Sequence, residues 1–396
     1  MIATGVALIA VCAWVYLLFG RGWFWLGRER DDSAPAASEE ALQTATSPWP
    51  RVVAIVPARD EADVIAESVG SLLRQDYEGP FSVVVVDDQS TDGTAAAARA
   101  TASAAGAAGR LRIVAGTSVA LGWTGKLWAM HQGLAAIEAG PAAPELVLFS
   151  DADIAYAPHA LARLVAIARA RGSVLTSLMV KLRCESPAER WLVPAFVFFF
   201  QMLYPFAWVN NVRRGTAAAA GGCMLARPGT LAAAGGLEAL RGALIDDCAL
   251  AALIKQKGPI WLGLTESVRS LRAYPAFADM RRMVARSAFA ELRYSALRLA
   301  GAVAGMALVY LAPPLLAIFA HGIAQAAGAL AWAMMALSFT PTLRLYGRPL
   351  VYALALPVIA AAYVAFTLDS AIQYWRGRGG YWKGRIQAPM REAGRA

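Results

Sequence analysis

Leu146-Val147-Leu148-Phe149-Ser150-Asp151-Ala152-Asp153 decides the fold: an unbroken apolar run of strand length ends in two carboxylates one residue apart. An earlier run, Phe81 to Val86, ends the same way in Asp87-Asp88. Apolar strands that deliver acids at their C-terminal ends describe an open α/β sheet with its site at the strand edge. Two carboxylates at this spacing suit a hard divalent cation, Mg²⁺ or Mn²⁺, that also holds substrate phosphates. The plainer reading is a solvated turn carrying two acids, and the rest of the chain weighs against it.

Outward from this stretch the pattern alternates strand and helix. Val52 to Pro57 reads as a short buried strand, and 63–75 as a helix burying Val64, Ile65, Val69, Leu72 and Leu73. After the second strand, Ser90, Thr91 and Asp92 are helix-capping types, Asp92 being a turn or cap residue. Strands follow at 112–115, 146–150 and 174–182, with helices at 126–139 and 158–171. Sequential parallel strands need helical crossovers, so the sheet is expected to be mostly parallel and Rossmann-like.

With 396 residues, 58% of them hydrophobic, and a mean hydropathy of +0.46, the chain is too apolar for an ordinary soluble enzyme. The net charge of +9 suits an anionic membrane face or phosphate-bearing substrates. Nucleic acid is not an expected partner, because no binding motif is present and many arginines flank apolar segments. Cys12, Cys184, Cys223 and Cys248 have no metal or redox spacing and read as buried small residues in a reducing setting. His131, His159 and His321 are scattered and read as structural.

Residues 1–20 are apolar and precede Arg21, Arg28 and Arg30, the charge order of an uncleaved anchor with a cytoplasmic C-terminal side. A polar linker is expected over 21–50, a catalytic domain over 51–300, a transmembrane region over 301–372 and a basic tail over 373–396. Within the domain, 191–209 is apolar and rich in Phe, reading as an interfacial or core helix, or as a membrane segment. The late runs 303–320, 322–340 and 350–368 are each close to bilayer length. One anchor and three later crossings would leave the basic tail outside, against the positive-inside tendency. Either one late segment, such as that bearing Pro313-Pro314, does not cross, or the middle stretch does.

Several residues carry candidate chemistry. Pro57-Ala58-Arg59-Asp60-Glu61 lies where such sheets bind ligands; Asp60 or Glu61 suits a base or ribose, or simply caps a helix. The Asp87-Asp88 pair ends the second strand, where a carboxylate can read a pyrimidine edge or a ribose hydroxyl. Lys126 opens a helix after Gly122-Trp123-Thr124-Gly125, a phosphate cradle without P-loop spacing. Gly221-Gly222-Cys223-Met224 is a turn allowing close ligand approach, or a tight bend, on the acceptor side with Asp246. Asp246-Asp247 starts a helix; such acids serve the helix dipole, but a sugar transfer also needs a base at the acceptor hydroxyl, and Asp247 is the candidate. Arg282 and Arg286 share a helix face and suit a diphosphate clamp, anionic lipid, or both.

Taken together, Val-Pro-Ala-Arg-Asp-Glu (56–61), Asp-Asp-Gln-Ser-Thr-Asp-Gly-Thr (87–94), Asp-Ala-Asp (151–153), Gly-Gly-Cys-Met (221–224) and Asp-Asp (246–247) resemble the family 2 glycosyltransferases of GT-A fold. Gly-Trp-Thr-Gly-Lys-Leu-Trp-Ala (122–129), Arg-Met-Val-Ala-Arg (282–286) and Tyr-Trp-Lys-Gly-Arg (381–385) are similar to the membrane-bound, hopene-associated glycosyltransferases of bacterial hopanoid biosynthesis. The resemblance implies nucleotide binding by Asp60, Glu61 and Asp88, metal on Asp151 and Asp153, and Asp247 as the base of an inverting, single-displacement transfer. It implies a nucleotide-sugar donor, UDP-linked, a lipid acceptor, and a multi-pass protein of the bacterial inner membrane with its catalytic domain facing the cytoplasm. Two departures stand out: Asp246 replaces a common Glu, and Met283 and Ser287 fill the Gln and Trp positions of the processive Gln-x-x-Arg-Trp motif around Arg286. The second disfavours the alternative of a processive polysaccharide synthase, and the set of acids disfavours a non-catalytic scaffold.

Overall fold

The structure is a computed structural model that describes residues 1–33, 48–140, 143–382 and 385–386. Residues 34–47 of the expected linker, and from the basic tail Lys383, Gly384 and everything after 386, lie outside the described residues. The chain divides into two compact units, one of Glu29–Arg183 with Trp208–Ala273, the other of Met1–Arg28, Cys184–Ala207 and Tyr274–Ala396.

The first unit is built on eight strands: β1 (Val52–Ala58), β2 (Phe81–Asp87), β3 (Leu111–Ala115), β4 (Leu146–Ser150), β5 (Ile154–Tyr156), β6 (Leu175–Lys181), β7 (Cys223–Ala226) and β8 (Ile260–Ser270). Their order is β3-β2-β1-β4-β7-β6-β8-β5. The pairs β1–β2, β1–β4, β2–β3 and β6–β8 are parallel. The pairs β4–β7, β6–β7 and β5–β8 are antiparallel, so the sheet is mixed, with parallel pairs in the majority. Val52, Ala54 and Val56 of β1 join a core with Ile65, Val69 and Leu72 of helix Ala62–Leu73, as apolar runs buried on both faces require. On the other face helix Gly125–Glu138 packs through Gly133, where a Cβ would come 2.6 Å from Ile55 Cγ2.

The turn expected at 221–224 stops after two residues. Gly221-Gly222 makes the bend, and Cys223 and Met224 begin β7, fully buried, Cys223 paired with β4 and Met224 with both β4 and β6. Within the expected linker, Glu29 and Asp31 bond to β8: Asp31 N–H donates to Leu264 O (3.0 Å), Leu264 N–H to Glu29 O (2.8 Å), and the Thr265 hydroxyl to Asp31 Oδ2 (2.7 Å).

In the second unit, five helices among the described residues are long and apolar enough to cross a membrane: Ile2–Gly20, Pro187–Val209, Ala296–Phe319, Gly322–Leu345 and Leu350–Trp375. Pro187–Val209 cannot make a single crossing. It joins β6 to β7, which pair with each other, so one passage through a bilayer would separate bonded strands. Its start carries a Ser186–Glu189 capping box, and Leu192, Val193, Val197 and Phe198 are buried. No cysteine is in a disulfide; Cys223 is buried as expected, but Cys12 is exposed, on the apolar N-terminal helix.

Candidate active site

β1, β2, β4, β6 and β8 end on one edge of the sheet, because β7 runs antiparallel to both β4 and β6. The acids arrive there from separate loops. Asp60 follows β1 in a left-handed conformation (φ 50°), as does Gln89 after β2 (φ 58°), a strain typical of ligand edges. The two loops are laced together: Thr91 N–H donates to Asp60 Oδ1 (2.9 Å), Asp60 N–H to Ser90 Oγ (3.0 Å), and Glu61 N–H to Thr94 Oγ1 (2.9 Å). Asp92 caps twice, accepting from Thr94 N–H and from Ala62 N–H, the first residue of the helix after β1. Arg59 Nη1 donates to Asp88 O (2.7 Å) and lies 3.8 Å from the buried Asp88 carboxylate. Pro57 sits one residue before the end of β1, where it pairs with Val86.

Lys126 lies at the centre of the second group. Its ammonium is 2.7 Å from Asp151 Oδ1 and 3.4 Å from Asp246 Oδ2. Burial pulls this ammonium down, but Asp151 and Asp246 outweigh it and the net shift is upward. Burial raises the Asp151 carboxyl, opposed by Lys126. Asp247 accepts from Gly221 N–H at Oδ2 (2.9 Å) and from Cys248 N–H at Oδ1 (2.8 Å), which fixes its carboxylate plane. Burial first, and then the neighbouring charge of Asp246, push the Asp247 carboxyl up to about 6. That value suits a group that must both take and release a proton near neutral pH.

The Gly221-Gly222 bend is pinned from below. Ser177 Oγ accepts from Ala220 N–H (2.9 Å), and the Tyr156 hydroxyl donates to Gly222 O (3.2 Å). A Cβ on Gly221 would lie 3.0 Å from Lys126 Nζ and 3.3 Å from Asp247 Oδ2, so what approaches this backbone closely is Asp247 and Lys126.

Sequence reasoning missed Arg272. Its Nε donates to Asp153 Oδ2 (2.7 Å) and its Nη2 to Glu61 Oε1 (2.7 Å), one guanidinium spanning the β1 loop and the second acid after β4. The available signal was position: Arg272 lies two residues beyond β8, on the edge that carries the other acids. Arg282 and Arg286 belong to the other unit, both exposed on helix Phe277–Glu291, with Arg282 paired to Asp279.

Among the described residues no three His, Cys, Asp or Glu side chains form a ready metal cage. The donors at Asp151 and Asp153 are hard carboxylate oxygens, and buried Asp246 Oδ2 accepts no hydrogen bond. Such a set fits Mg²⁺ or Mn²⁺ held by two protein ligands and completed by substrate phosphates and water. Lys126 and Arg272 now neutralise the two acids that would serve.

A mixed eight-stranded sheet with acids at its strand ends defines a GT-A glycosyltransferase. The chain belongs to the glycosyltransferase like family 2, whose model matches residues 50–284, more than half its length. It is therefore a glycosyltransferase, moving sugar from a nucleotide-sugar donor. No curated protein matches the sequence. Among solved structures it is similar to the mannosyltransferase PcManGT from Pyrobaculum calidifontis, solved in complex with GDP-Man and Mn²⁺. The identity is 22%, covering 94% of this chain and 98% of that one, with a TM-score of 0.54, a likeness of fold. TarS of S. aureus (16% identity, 82% of this chain, 55% of that one, TM-score 0.38) and glucosyl-3-phosphoglycerate synthase of M. tuberculosis (20%, 65%, 84%, 0.38) are too distant to carry an argument.

Proposed function

We propose that this glycosyltransferase is an inverting, membrane-bound enzyme that moves one sugar from a UDP-linked donor to the hydroxyl of a lipid. The acceptor class, a hydroxyl-bearing hopanoid, rests on the motif resemblance at 122–129, 282–286 and 381–385 and on the apolar helices of the second unit. The bacterial inner membrane, with the catalytic unit in the cytoplasm, fits Arg21, Arg28 and Arg30 following the N-terminal helix.

In this mechanism Asp60, Glu61 and Asp88 hold the nucleoside, with Arg59 bracing Asp88. Asp151 and Asp153 would hold Mg²⁺ or Mn²⁺, which when bound offsets the charge of the leaving diphosphate. Lys126, already beside Asp151, adds a positive charge on that side. Asp247 takes the proton of the acceptor hydroxyl as its oxygen bonds to the anomeric carbon. The bond from that carbon to the phosphate oxygen breaks with its electron pair, leaving nucleoside diphosphate and an inverted glycoside. The Gly221 N–H holds the base in place, with Gly222 and Asp246 beside it in sequence on the acceptor side.

The observation that carries this reading is the Asp247 carboxylate, fixed by two backbone N–H groups and raised to about 6 beside the Lys126–Asp151 pair. The test incubates radiolabelled UDP- and GDP-linked sugars with membranes containing the wild type or Asp247→Asn, followed by mass analysis of extracted lipids. A lipid that gains one sugar only with the wild type supports the proposal. Equal labelling by both would remove Asp247 from the reaction, and label in long polymer would remove single transfer.

A further inference from the structure

The apolar helix Leu350–Trp375 has the length of a membrane span, but its contacts are those of a helix that begins and ends on one side. Its C-terminal end is bound to helix Phe277–Glu291: Arg281 Nη1 donates to Asp369 Oδ2 (3.2 Å), Phe289 N–H to Ser370 Oγ (3.1 Å), and the Ser370 hydroxyl to Ala285 O. Next to these, Tyr294 and Tyr374 stack with ring centroids 4.4 Å apart. Helix Phe277–Glu291 carries Arg281, Arg282 and Arg286 and follows Ala273 of the catalytic unit with no apolar segment between, so it stays on that unit's side of any bilayer.

The N-terminal end is traced through the preceding helices. Ala296–Phe319 starts just after Phe277–Glu291, and Gly322–Leu345 follows it after two residues as its antiparallel partner. An outward and a return passage bring Arg344 and Arg348 back to the starting side. Ring contacts agree: Phe339, near the end of the return helix, packs on Phe198 of the non-crossing helix Pro187–Leu203, and Phe198 packs on Phe24, just past the N-terminal anchor. Both ends of Leu350–Trp375 therefore lie on one side. The helix also bonds to the non-crossing one, the Tyr363 hydroxyl donating to Leu192 O (2.9 Å).

What remains uncovered is apolar and recurs at helical spacing: Val351, Leu354, Val358, Leu368, Ile372 and Trp375 are exposed, while Ser370 and Ala371 are buried. Arg344 and Arg348 precede this stripe, and Arg376 and Arg378 follow it. An apolar stripe flanked at both ends by cations fits the headgroup–acyl boundary of an anionic leaflet. We infer that Leu350–Trp375 does not cross the bilayer but begins and ends in the leaflet that carries helix Phe277–Glu291, with Arg376 and Arg378 on that side. Three crossings then remain, which resolves the charge conflict posed by four.

The inference rests on the membrane reading above, and its test separates the two. Single cysteines replace His321, Arg348 and Arg378, one at a time, in the full chain with its four native cysteines changed to serine; a charged maleimide is applied to right-side-out and inside-out vesicles. Labelling of 348 and 378 only from the cytoplasmic face, and of 321 only from the opposite face, is the expected result. Labelling of 348 and 378 from opposite faces, or of 321 and 348 from the same face, would overturn it. Carbonate release of the protein into the soluble fraction would instead overturn the membrane reading. A C-terminal green fluorescent protein fusion gives a second readout that needs no cysteine exchange. Fluorescent cells support the inference, and dark cells with active alkaline phosphatase in its place refute it.

Discussion

If Asp247 removes the acceptor proton, the pH profile of transfer has an acid limb far above that of an ordinary carboxylate. Burial and the adjacent Asp246 push this carboxyl up to about 6, against an ordinary value of 3.8. The sign follows from the role: the base must be ionised, so activity is present above about pH 6 and lost as pH falls through it. At about pH 5 only roughly a tenth of the groups would be ionised, whereas an unperturbed aspartate would stay more than about nine-tenths ionised. The rate should therefore fall about tenfold between pH 7 and pH 5, from the ionised fraction alone. The assay is the initial rate of sugar transfer in detergent at saturating donor, whose diphosphate does not titrate in this range. Asp246→Asn removes the like charge and should move the limb to lower pH; Lys126→Met removes the opposing cation and should move it up. A wild-type limb near pH 4, or a limb indifferent to Asp246→Asn, would refute the assignment.

Gly221→Ala should cut kcat about a hundredfold, because the added methyl displaces both Lys126 and Asp247; rates of the purified variant decide this, with a circular dichroism spectrum matching wild type. Arg272→Gln leaves Glu61 and Asp153 without their shared partner and should raise the donor KM about tenfold or more, and Arg272→Lys, which lacks the fork, should recover only part of it. Chelation by EDTA should abolish transfer and added Mn²⁺ restore it, with Asp153→Ala needing much more metal; full activity in EDTA would contradict the metal reading. Lys255→Met strands the carbonyls of Val209 and Thr216, bonded to Lys255 Nζ at 2.7 and 2.6 Å. It should cost about 1–3 kcal/mol, seen as a lower melting temperature with little change in KM.

The parts of the fold that could be read from the chain are those whose signal is local. Val52–Ala58, Phe81–Asp87 and Leu146–Ser150 are continuous apolar runs, and the helices between them bury one regular face. β5 and β7 are only three and four residues long and follow Asp-Ala-Asp and Gly-Gly, so local pattern left β5 unassigned and read the start of β7 as a turn. They are strands because neighbouring strands distant in sequence satisfy their backbone groups. The acids were visible because carboxylates at strand ends are conspicuous. Their cations were less so: Arg272 acts across 119 residues to reach Asp153 and 211 to reach Glu61, a pairing no window of sequence displays. The purpose of Gly221 was open until Lys126 and Asp247 were found against it. Likewise the length of Leu350–Trp375 suggested a span, and the bonds of its C-terminal end to Arg281, Ala285 and Phe289 join residues more than eighty positions apart, beyond any local pattern.

The place of β7 in the sheet has a consequence for how the chain is made. β7 joins the β3-β2-β1-β4 half to the β6-β8-β5 half, yet it is synthesised after the apolar segment Pro187–Val209. Until that segment has left the ribosome, β4 and β6 present bare edges with no partner, a state prone to misassembly. During translation the nascent catalytic unit must wait, open along its middle, until this greasy stretch and the strand behind it have emerged.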